Sequence, residues 1–271
     1  MASKFVPILL AAGLVLAGCN VEPTSTEGDP LTSSRPPKKD TIGVFRNGAF
    51  YLRYTNDAGT ADAQFAFGQP GDLPIVGDWD GDGIDTIGVY RNGVFYLRDT
   101  NTIGYADHKF AFGPPGGLPV AGDWDGDGVD TVGVYLNGTF YLTNSRTGAD
   151  SLPPFAFGLP GDLPIAGDWT CRGIDTIGVF RPSTNGANGM MYLRNSNTTG
   201  TADRAFPAGA PTGYPVAGNW NGNCGNQTGD TTGVYYNGQF YLRYVNALGP
   251  DQVFTYGLPG DLPIAGQWQW P

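Results

Sequence analysis

Carboxylates alternate with glycine in two short segments of this 271-residue chain. The segments read Asp-Trp-Asp-Gly-Asp-Gly-Ile-Asp at 78–85 and Asp-Trp-Asp-Gly-Asp-Gly-Val-Asp at 123–130. Acidic side chains packed so closely repel one another unless a cation lies between them. Oxygens at alternate positions suit a hard cation, and calcium fits such a loop better than the smaller, more hydrated magnesium. We therefore expect a calcium ion in each segment, with a metal-free polar turn as the alternative.

The rest of the sequence offers little that points to catalysis. His108 is the single histidine, and no candidate nucleophile stands beside it. Paired carboxylates hydrolyse glycosides in some enzymes, but those acids are single and unrepeated. We expect no enzymatic activity, with a carboxylate-based glycoside hydrolase as the weaker alternative. The 25 acidic and 15 basic residues give a net charge of -10, which argues against nucleic acid as a partner because phosphate contacts need Lys and Arg.

Both acidic segments belong to a unit that recurs five times from residue 41 onward. One part of the unit is a Leu-Pro-Ile-Ala-Gly-Asp-Trp-like stretch, and the other is a Thr-Ile-Gly-Val-Tyr-like stretch. The first part places tryptophan at Trp79, Trp124, Trp169, Trp220 and Trp268. These residues either pack between neighbouring sheets or form a ring that stacks on sugars.

Each unit contains the signals for four short β-strands, which we name A to D. Strand A is Pro-Ile-Ala-Gly-Asp-Trp, B is Thr-Ile-Gly-Val-Tyr, C is Phe-Tyr-Leu-Arg and D is Phe-Ala-Phe-Gly. Strands B and C flank an Asn-Gly pair in four units, the strongest short signal for a β-hairpin. Four strands in about 45 residues are typical of a β-propeller blade.

The phase of the repeat predicts a closed ring. The repeats begin with strand B at Thr41 and end just after strand A at Trp268. The fifth blade would combine strands B, C and D from 41–68 with strand A from 263–268. We therefore predict an all-β, five-bladed propeller of four-stranded blades over residues 40–271, in which the C-terminal strand pairs with the N-terminal blade.

These units resemble the FG-GAP repeats, also described as VCBS-like, of integrin α-chains and bacterial surface proteins. The resemblance covers about residues 41–268 and rests on Phe-Gly, then Pro-Val-Ala-Gly-Asp-Trp-Asp-Gly-Asp-Gly, then a Gly-Val strand. It implies a propeller with calcium in the A–B loops, used in adhesion and ligand binding. The ligands it implies are the carboxylates of Asp78, Asp80 and Asp82 with the Ile84 carbonyl, and those of Asp123, Asp125 and Asp127 with the Val129 carbonyl.

The sequence leaves two candidates for the last calcium ligand of each loop. The family's usual ninth-position Asp is Thr86 or Thr131 here, with Asp85 or Asp130 one place earlier. This departure predicts weak calcium binding, with a dissociation constant on the order of 10⁻⁴–10⁻³ M.

The N-terminus looks like a bacterial lipoprotein signal. An apolar run from Phe5 to Ala17 is too short to span a bilayer, and it ends in Leu-Ala-Gly-Cys at 16–19, which resembles a lipobox. We expect residues 1–18 to be a signal peptide, Cys19 to be lipidated and 19–39 to be a flexible tether rich in Pro, Ser and Thr. The alternative is an ordinary secretory signal with an incidental cysteine.

Two other cysteines lie in A–B loops that have lost most of the carboxylates. Cys171 and Cys224 belong to adjacent units, in a compartment that permits disulfides. We predict that a Cys171–Cys224 bond replaces calcium there, with two separate buried thiols as the alternative.

These observations predict an extracytoplasmic, membrane-anchored, monomeric module that binds a surface protein. The alternative is a lectin-like module with equivalent glycan sites between blades. A protein interface should concentrate in the unrepeated insertions at 182–189 and 223–229, whereas sugar sites should recur.

Overall fold

The computed structural model describes residues 39–222, 229–247 and 252–268. These residues form strands, turns and loops. Within these ranges we find no helix with the length and apolarity that a membrane crossing requires. The predicted signal peptide, Cys19 and nearly all of the tether lie outside the described residues.

The described strands, numbered along the chain, form five antiparallel sheets of four strands. Blade 1 contains β20 (Leu262–Gly266), β1 (Thr41–Arg46), β2 (Ala49–Leu52) and β3 (Ala63–Ala66). Blade 2 contains β4 (Leu73–Gly77), β5 (Thr86–Arg91), β6 (Val94–Leu97) and β7 (His108–Ala111). Blade 3 contains β8 (Leu118–Gly122), β9 (Thr131–Leu136), β10 (Thr139–Leu142) and β11 (Phe155–Ala156). Blade 4 contains β12 (Leu163–Gly167), β13 (Thr176–Arg181), β14 (Met190–Leu193) and β15 (Arg204–Pro207). Blade 5 contains β16 (Tyr214–Gly218), β17 (Thr231–Tyr236), β18 (Gln239–Leu242) and β19 (Gln252–Thr255).

The five strands of type A lie next to one another around a central channel. Contacts run from β4 to β8, β12, β16 and β20, and then from β20 back to β4. Blade 1 takes β20 from the end of the chain and β1 from its start, and these strands pair with Thr41 opposite Gly266. The predicted five-bladed propeller, closed by its C-terminal strand, is confirmed.

Tight turns join strands B and C in four blades. Asn47 has φ of 50° and Gly48 has φ of 85°, and the other three Asn-Gly pairs have nearly the same values. Both residues are therefore left-handed, as a type I′ hairpin turn requires. Blade 4 replaces this turn with the predicted insertion, which follows Arg181.

The hydrophobic core lies between the blades. Ile75, Trp79 and Phe95 of blade 2 pack in one cluster with Val132 and Val134 of blade 3. The other clusters also join neighbouring blades. Each sheet is therefore buried mainly by its neighbours, and closing the ring covers the faces that end blades would expose.

Strand A ends at its glycine, earlier than the sequence predicted. The following Asp and Trp lie outside the strand, as at Gly77, Asp78 and Trp79. A Cβ atom on Gly77 would lie 2.8 Å from Trp79 and 2.8 Å from the Cβ of Asp130 in the next blade. Glycine is needed because the joint between two blades leaves no space for a side chain at this point.

Candidate functional site

The A–B loop of blade 2 is organised by its own carboxylates. Both oxygens of Asp78 accept backbone N–H groups of the loop, from Gly81 at 2.8 Å and from Gly83 at 2.6 Å. Asp82 accepts the N–H of Ile84 at 2.8 Å. These bonds wrap the backbone around the acidic side chains.

The corresponding loop of blade 3 makes the same kind of turn. Asp123 accepts the N–H groups of Gly126 at 2.7 Å and of Gly128 at 2.8 Å, and Asp127 accepts that of Val129 at 2.8 Å. Burial raises the pKa of Asp125, and the neighbouring Asp127 raises it further. The loop therefore holds negative charges that repel one another.

The structure brings together three predicted carboxylate ligands in each of the two loops. Oxygens of Asp78, Asp80 and Asp82 lie within 4.8 Å of one another, as do those of Asp123, Asp125 and Asp127. Such a set of oxygen donors has the chemistry that Ca²⁺ requires.

The candidates for the last ligand have other partners. Asp85 accepts the N–H of Gln267 at 2.6 Å, and Asp130 accepts the N–H of Asp78 at 2.8 Å. The hydroxyls of Thr86 and Thr131 lie 3.4 and 3.5 Å from the carbonyl oxygens of Gly77 and Gly122, to which they donate. Neither Asp85 nor Asp130 belongs to the carboxylate groups found among the described residues.

Asp85 and Asp130 belong to a ring of five aspartates that sequence reasoning missed. We call it the aspartate ring, and its members precede strand B in every blade: Asp40, Asp85, Asp130, Asp175 and Asp230. Each carboxylate accepts the N–H of the residue that follows strand A in the preceding blade. Asp40 accepts from Asn219, Asp85 from Gln267, Asp130 from Asp78, Asp175 from Asp123 and Asp230 from Asp168. The backbone N–H of each ring aspartate donates back to the carbonyl oxygen of that same residue. The ring therefore joins all five blades.

The aspartate ring surrounds one mouth of the channel. A cavity of about 430 Å³ is lined there by the ring and by the first carboxylates of three A–B loops, Asp78, Asp123 and Asp168. Burial, together with the nearby Asp40, raises the pKa of Asp230 to about 8. Burial also raises the pKa of Asp175 well above its usual range, with Asp130 and Asp230 adding to the effect. This mouth is strongly acidic, and protonation relieves part of its repulsion.

The blade 4 loop keeps its shape with fewer carboxylates. Asp168 still accepts the N–H of Thr170 at 3.1 Å and that of Gly173 at 2.6 Å. Cys171 has a positive φ of 54° in this loop. Its predicted partner Cys224 lies outside the described residues, as does most of the 223–229 insertion, so the disulfide stays a prediction.

The recurring tryptophans are buried. Their exposed fractions are 0%, 6%, 0%, 1% and 4% for Trp79, Trp124, Trp169, Trp220 and Trp268. Each belongs to a cluster between neighbouring blades. These rings pack the core and have no free face for stacking on a sugar.

The loops between strands C and D form the outer rim, and an arginine organises three of them. Arg98 of blade 2 donates to the hydroxyls of Thr100 and Thr102 at 2.9 Å and to the carbonyl oxygen of Tyr105. Arg53 and Arg194 make similar bonds in blades 1 and 4. The corresponding Arg243 of blade 5 is buried and donates to the carbonyl oxygen of Pro207 in blade 4.

The blade 2 rim loop carries two exposed apolar residues. Ile103 is 73% exposed and Tyr105 is 94% exposed. The matching positions are small or polar in blade 1, Ala58 and Thr60, and in blade 4, Thr199 and Thr201. His108, at the start of strand D, lies 2.9 Å from Asp99. Sequence reasoning missed the apolar pair, although the small and polar residues at the matching positions of blades 1 and 4 were a usable signal.

Comparisons with known proteins give little beyond this architecture. No protein-family profile matches the chain, and no curated protein matches it. Seven chains of solved structures match. One of them is in a crystal structure of BBS1N in complex with ARL6DN, soaked with lead, and shares 8% identity over 86% of this chain and 90% of that chain, with a TM-score of 0.44. The fold defines the class as a five-bladed β-propeller, and the FG-GAP resemblance stays a prediction.

Proposed function

We propose that this protein is a surface module whose propeller binds another protein, as in adhesion. The observation that carries the proposal is the exposed pair Ile103 and Tyr105, which blade 2 presents where blades 1 and 4 have small or polar residues. Exposed apolar groups that form a patch on a soluble domain often mark protein contacts, and tyrosine is enriched there.

The structure of the loop supports this role. The Arg98 guanidinium holds the Tyr105 carbonyl and two threonine hydroxyls, so the backbone under the apolar pair is fixed. A fixed backbone lowers the entropy that is lost when a partner orders the loop. The sequence had instead predicted the interface in the insertions at 182–189 and 223–229; the first of these, which lies within the described residues, is largely polar and exposed.

Site-specific photo-crosslinking tests this interface. A photoreactive phenylalanine analogue in place of Tyr105 should give one discrete adduct on intact cells of the source organism. The matched control carries the analogue in place of Thr201, the corresponding residue of blade 4. The same adducts from both positions, or no adduct from position 105, would contradict the proposed interface.

We also propose that two calcium ions stabilise the ring. The residues fit the ion, since each loop gathers three carboxylates whose oxygens lie within 4.8 Å of one another. Bound calcium would neutralise the repulsion within Asp78, Asp80 and Asp82 and within the matching trio of blade 3. The loops themselves position the carboxylates, because backbone N–H groups of each loop donate hydrogen bonds to them.

Calcium should raise the thermal stability of protein that was first stripped of metal. At a hundredfold excess over the dissociation constant, one site bound only in the native state contributes about 2.7 kcal/mol. The control replaces Asp80, Asp82, Asp125 and Asp127 with asparagine, and its melting temperature should not respond to calcium. Blade 4 has Thr170 and Arg172 at the matching positions and still folds its loop. Equal melting temperatures of the wild type with and without calcium would rule out the metal sites.

We place the module outside the cytoplasm, on a lipid anchor at Cys19. The support is the lipobox-like segment at 16–19 and the tether that follows it. Replacement of Cys19 with serine should move the protein from the membrane fraction to the soluble fraction. An unchanged distribution would contradict the anchor.

A further inference from the structure

A cleft between blades 3 and 4 combines apolar walls with a fixed hydrogen-bond donor. Its volume is about 260 Å³, and its lining includes Phe157 and Leu159 of blade 3 with Arg181, Tyr192 and Ala202 of blade 4. Pockets for drug-sized ligands have volumes of roughly 300–1,000 Å³. The cleft therefore suits a smaller ligand, of about one ring.

Arg181 is held in the cleft by two neighbours. Its Nε and Nη2 atoms both donate to Asp162 at 2.8 Å, in a bidentate pair. Its guanidinium carbon lies 4.6 Å from the centre of the Tyr192 ring. The Asp162 side chain is only 2% exposed, whereas that of Arg181 is 35% exposed. A guanidinium fixed on two sides loses little entropy when it binds a ligand.

One amino group of Arg181 remains for a ligand. Among the described residues, Nη1 has no hydrogen-bond partner, because both bonds to Asp162 use the other nitrogens. Asp162 already balances the charge of Arg181, and the chain carries a net charge of -10. The cleft therefore offers hydrogen bonds without attracting anions, which favours neutral hydroxyl acceptors.

We propose that this cleft binds a neutral pyranose ring. Sugar hydroxyls accept hydrogen bonds from Nη1 of Arg181, and the C–H face of the ring packs on Leu159 and its apolar neighbours. The Asp–Arg–Tyr arrangement recurs as Asp261, Arg46 and Tyr51 in blade 1 and as Asp72, Arg91 and Tyr96 in blade 2. The proposal is independent of the protein interface at Ile103 and Tyr105.

The neighbouring cleft provides a natural control. Between blades 2 and 3, a cleft of about 510 Å³ is lined by Phe112, Pro114, Tyr141 and Leu152. Blade 3 has Gly117 and Leu136 where blade 4 has Asp162 and Arg181. The double variant Asp162→Gly, Arg181→Leu therefore gives blade 4 the residues with which blade 3 already folds.

Nuclear magnetic resonance titration of the full propeller tests the proposal. The probes are the methyl glycosides of glucose, galactose, mannose and N-acetylglucosamine, with methyl glucuronide as the acidic control. At least one neutral probe should shift the amide signals of Leu159, Gly200 and Ala202 in a saturable way. The double variant should weaken this binding at least about tenfold, since a hydrogen bond to a charged donor contributes about 1.5–3 kcal/mol.

The remaining outcomes count against the proposal. Saturable shifts that are equally strong in the double variant would place the sugar elsewhere. Shifts with methyl glucuronide alone would overturn the neutral class of ligand, and no shift with any neutral probe would overturn the site. Unchanged signals in blades 1, 2 and 5 of the variant would show that it has folded, so loss of binding could not be attributed to unfolding.

Discussion

The channel mouth and the outer rim of this propeller differ in how faithfully they repeat. At the mouth, one contact is made five times, because each member of the aspartate ring binds the backbone of the preceding blade. At the rim, the matching loops differ, and blade 2 alone exposes Ile103 and Tyr105 among the loops of blades 1, 2 and 4. Contacts that recur in every blade hold the ring together, whereas features of one blade can serve recognition.

The largest effect on stability should come from the repeated inner region. Trp169→Ala removes a fully buried ring that packs between blades 4 and 5, and such truncations cost about 3–5 kcal/mol. The comparison variant is Tyr105→Ala at the rim, which should change stability by about 0.5 kcal/mol or less. Urea denaturation of both variants measures the difference. Equal losses of stability in the two variants would contradict the view that the repeated inner contacts hold the ring together and the rim loop does not.

A smaller effect should come from the Asp–Arg pairs, which blades 1, 2 and 4 have and blades 3 and 5 lack. Arg91→Leu leaves Asp72 buried without its ion partner, at a cost of about 1–3 kcal/mol. Adding Asp72→Gly should recover most of this loss of stability. Blade 2 would then have Gly and Leu at the two positions that Gly117 and Leu136 occupy in blade 3. A double-mutant cycle in urea measures the coupling. Additive losses would show that the pair does not act as a unit.

The smallest effect should be the pH dependence of the aspartate ring. The folded-state pKa of Asp230 is raised to about 8 by burial and by Asp40, above an unfolded value of 3.8. The folded state then holds the proton more tightly, so stability should fall as pH rises from about 4 to about 8. Asp230 keeps part of its surface open to the mouth, which limits the size of the change.

Asp230→Asn isolates this pH effect, because the amide oxygen can still accept the N–H of Asp168. Melting curves at several pH values should show a weaker decline for this variant than for the wild type. Identical declines would assign the pH dependence to other groups.

The fold could be predicted because the repeat starts and stops at complementary strands, which indicates that the two ends complete one blade and close the ring. Strand B at Thr41 lacked a strand A before it, and strand A before Trp268 lacked a strand B after it. The Asn-Gly pairs predicted four of the five B–C turns for a local reason, since few residues tolerate the φ of Asn47 and Gly48.

The site was predicted only where its contacts are local. The trio Asp78, Asp80 and Asp82 converges within one loop, so its spacing was informative. Asp130 contacts Asp78, 52 positions away along the chain and in another blade. Position along the chain placed Asp130 beside its own loop and could not show which loop its carboxylate faces. Its recurrence in all five units, against two units for the full acidic loop, was the signal that distinguished the two roles.

Blade 1, which combines strands from both ends of the repeat region, also sets the order in which the blades can fold during synthesis. Because β20 is the innermost strand of blade 1, the inner edge of β1 stays unpaired until residues 262–266 have been synthesised, although its other edge pairs with β2. Blades 2 to 5 have no such delay, since each is made from consecutive strands. A nascent chain that stops before Leu262 would therefore hold four finished blades and one exposed strand edge, and such edges are the sites where chains aggregate or recruit a chaperone.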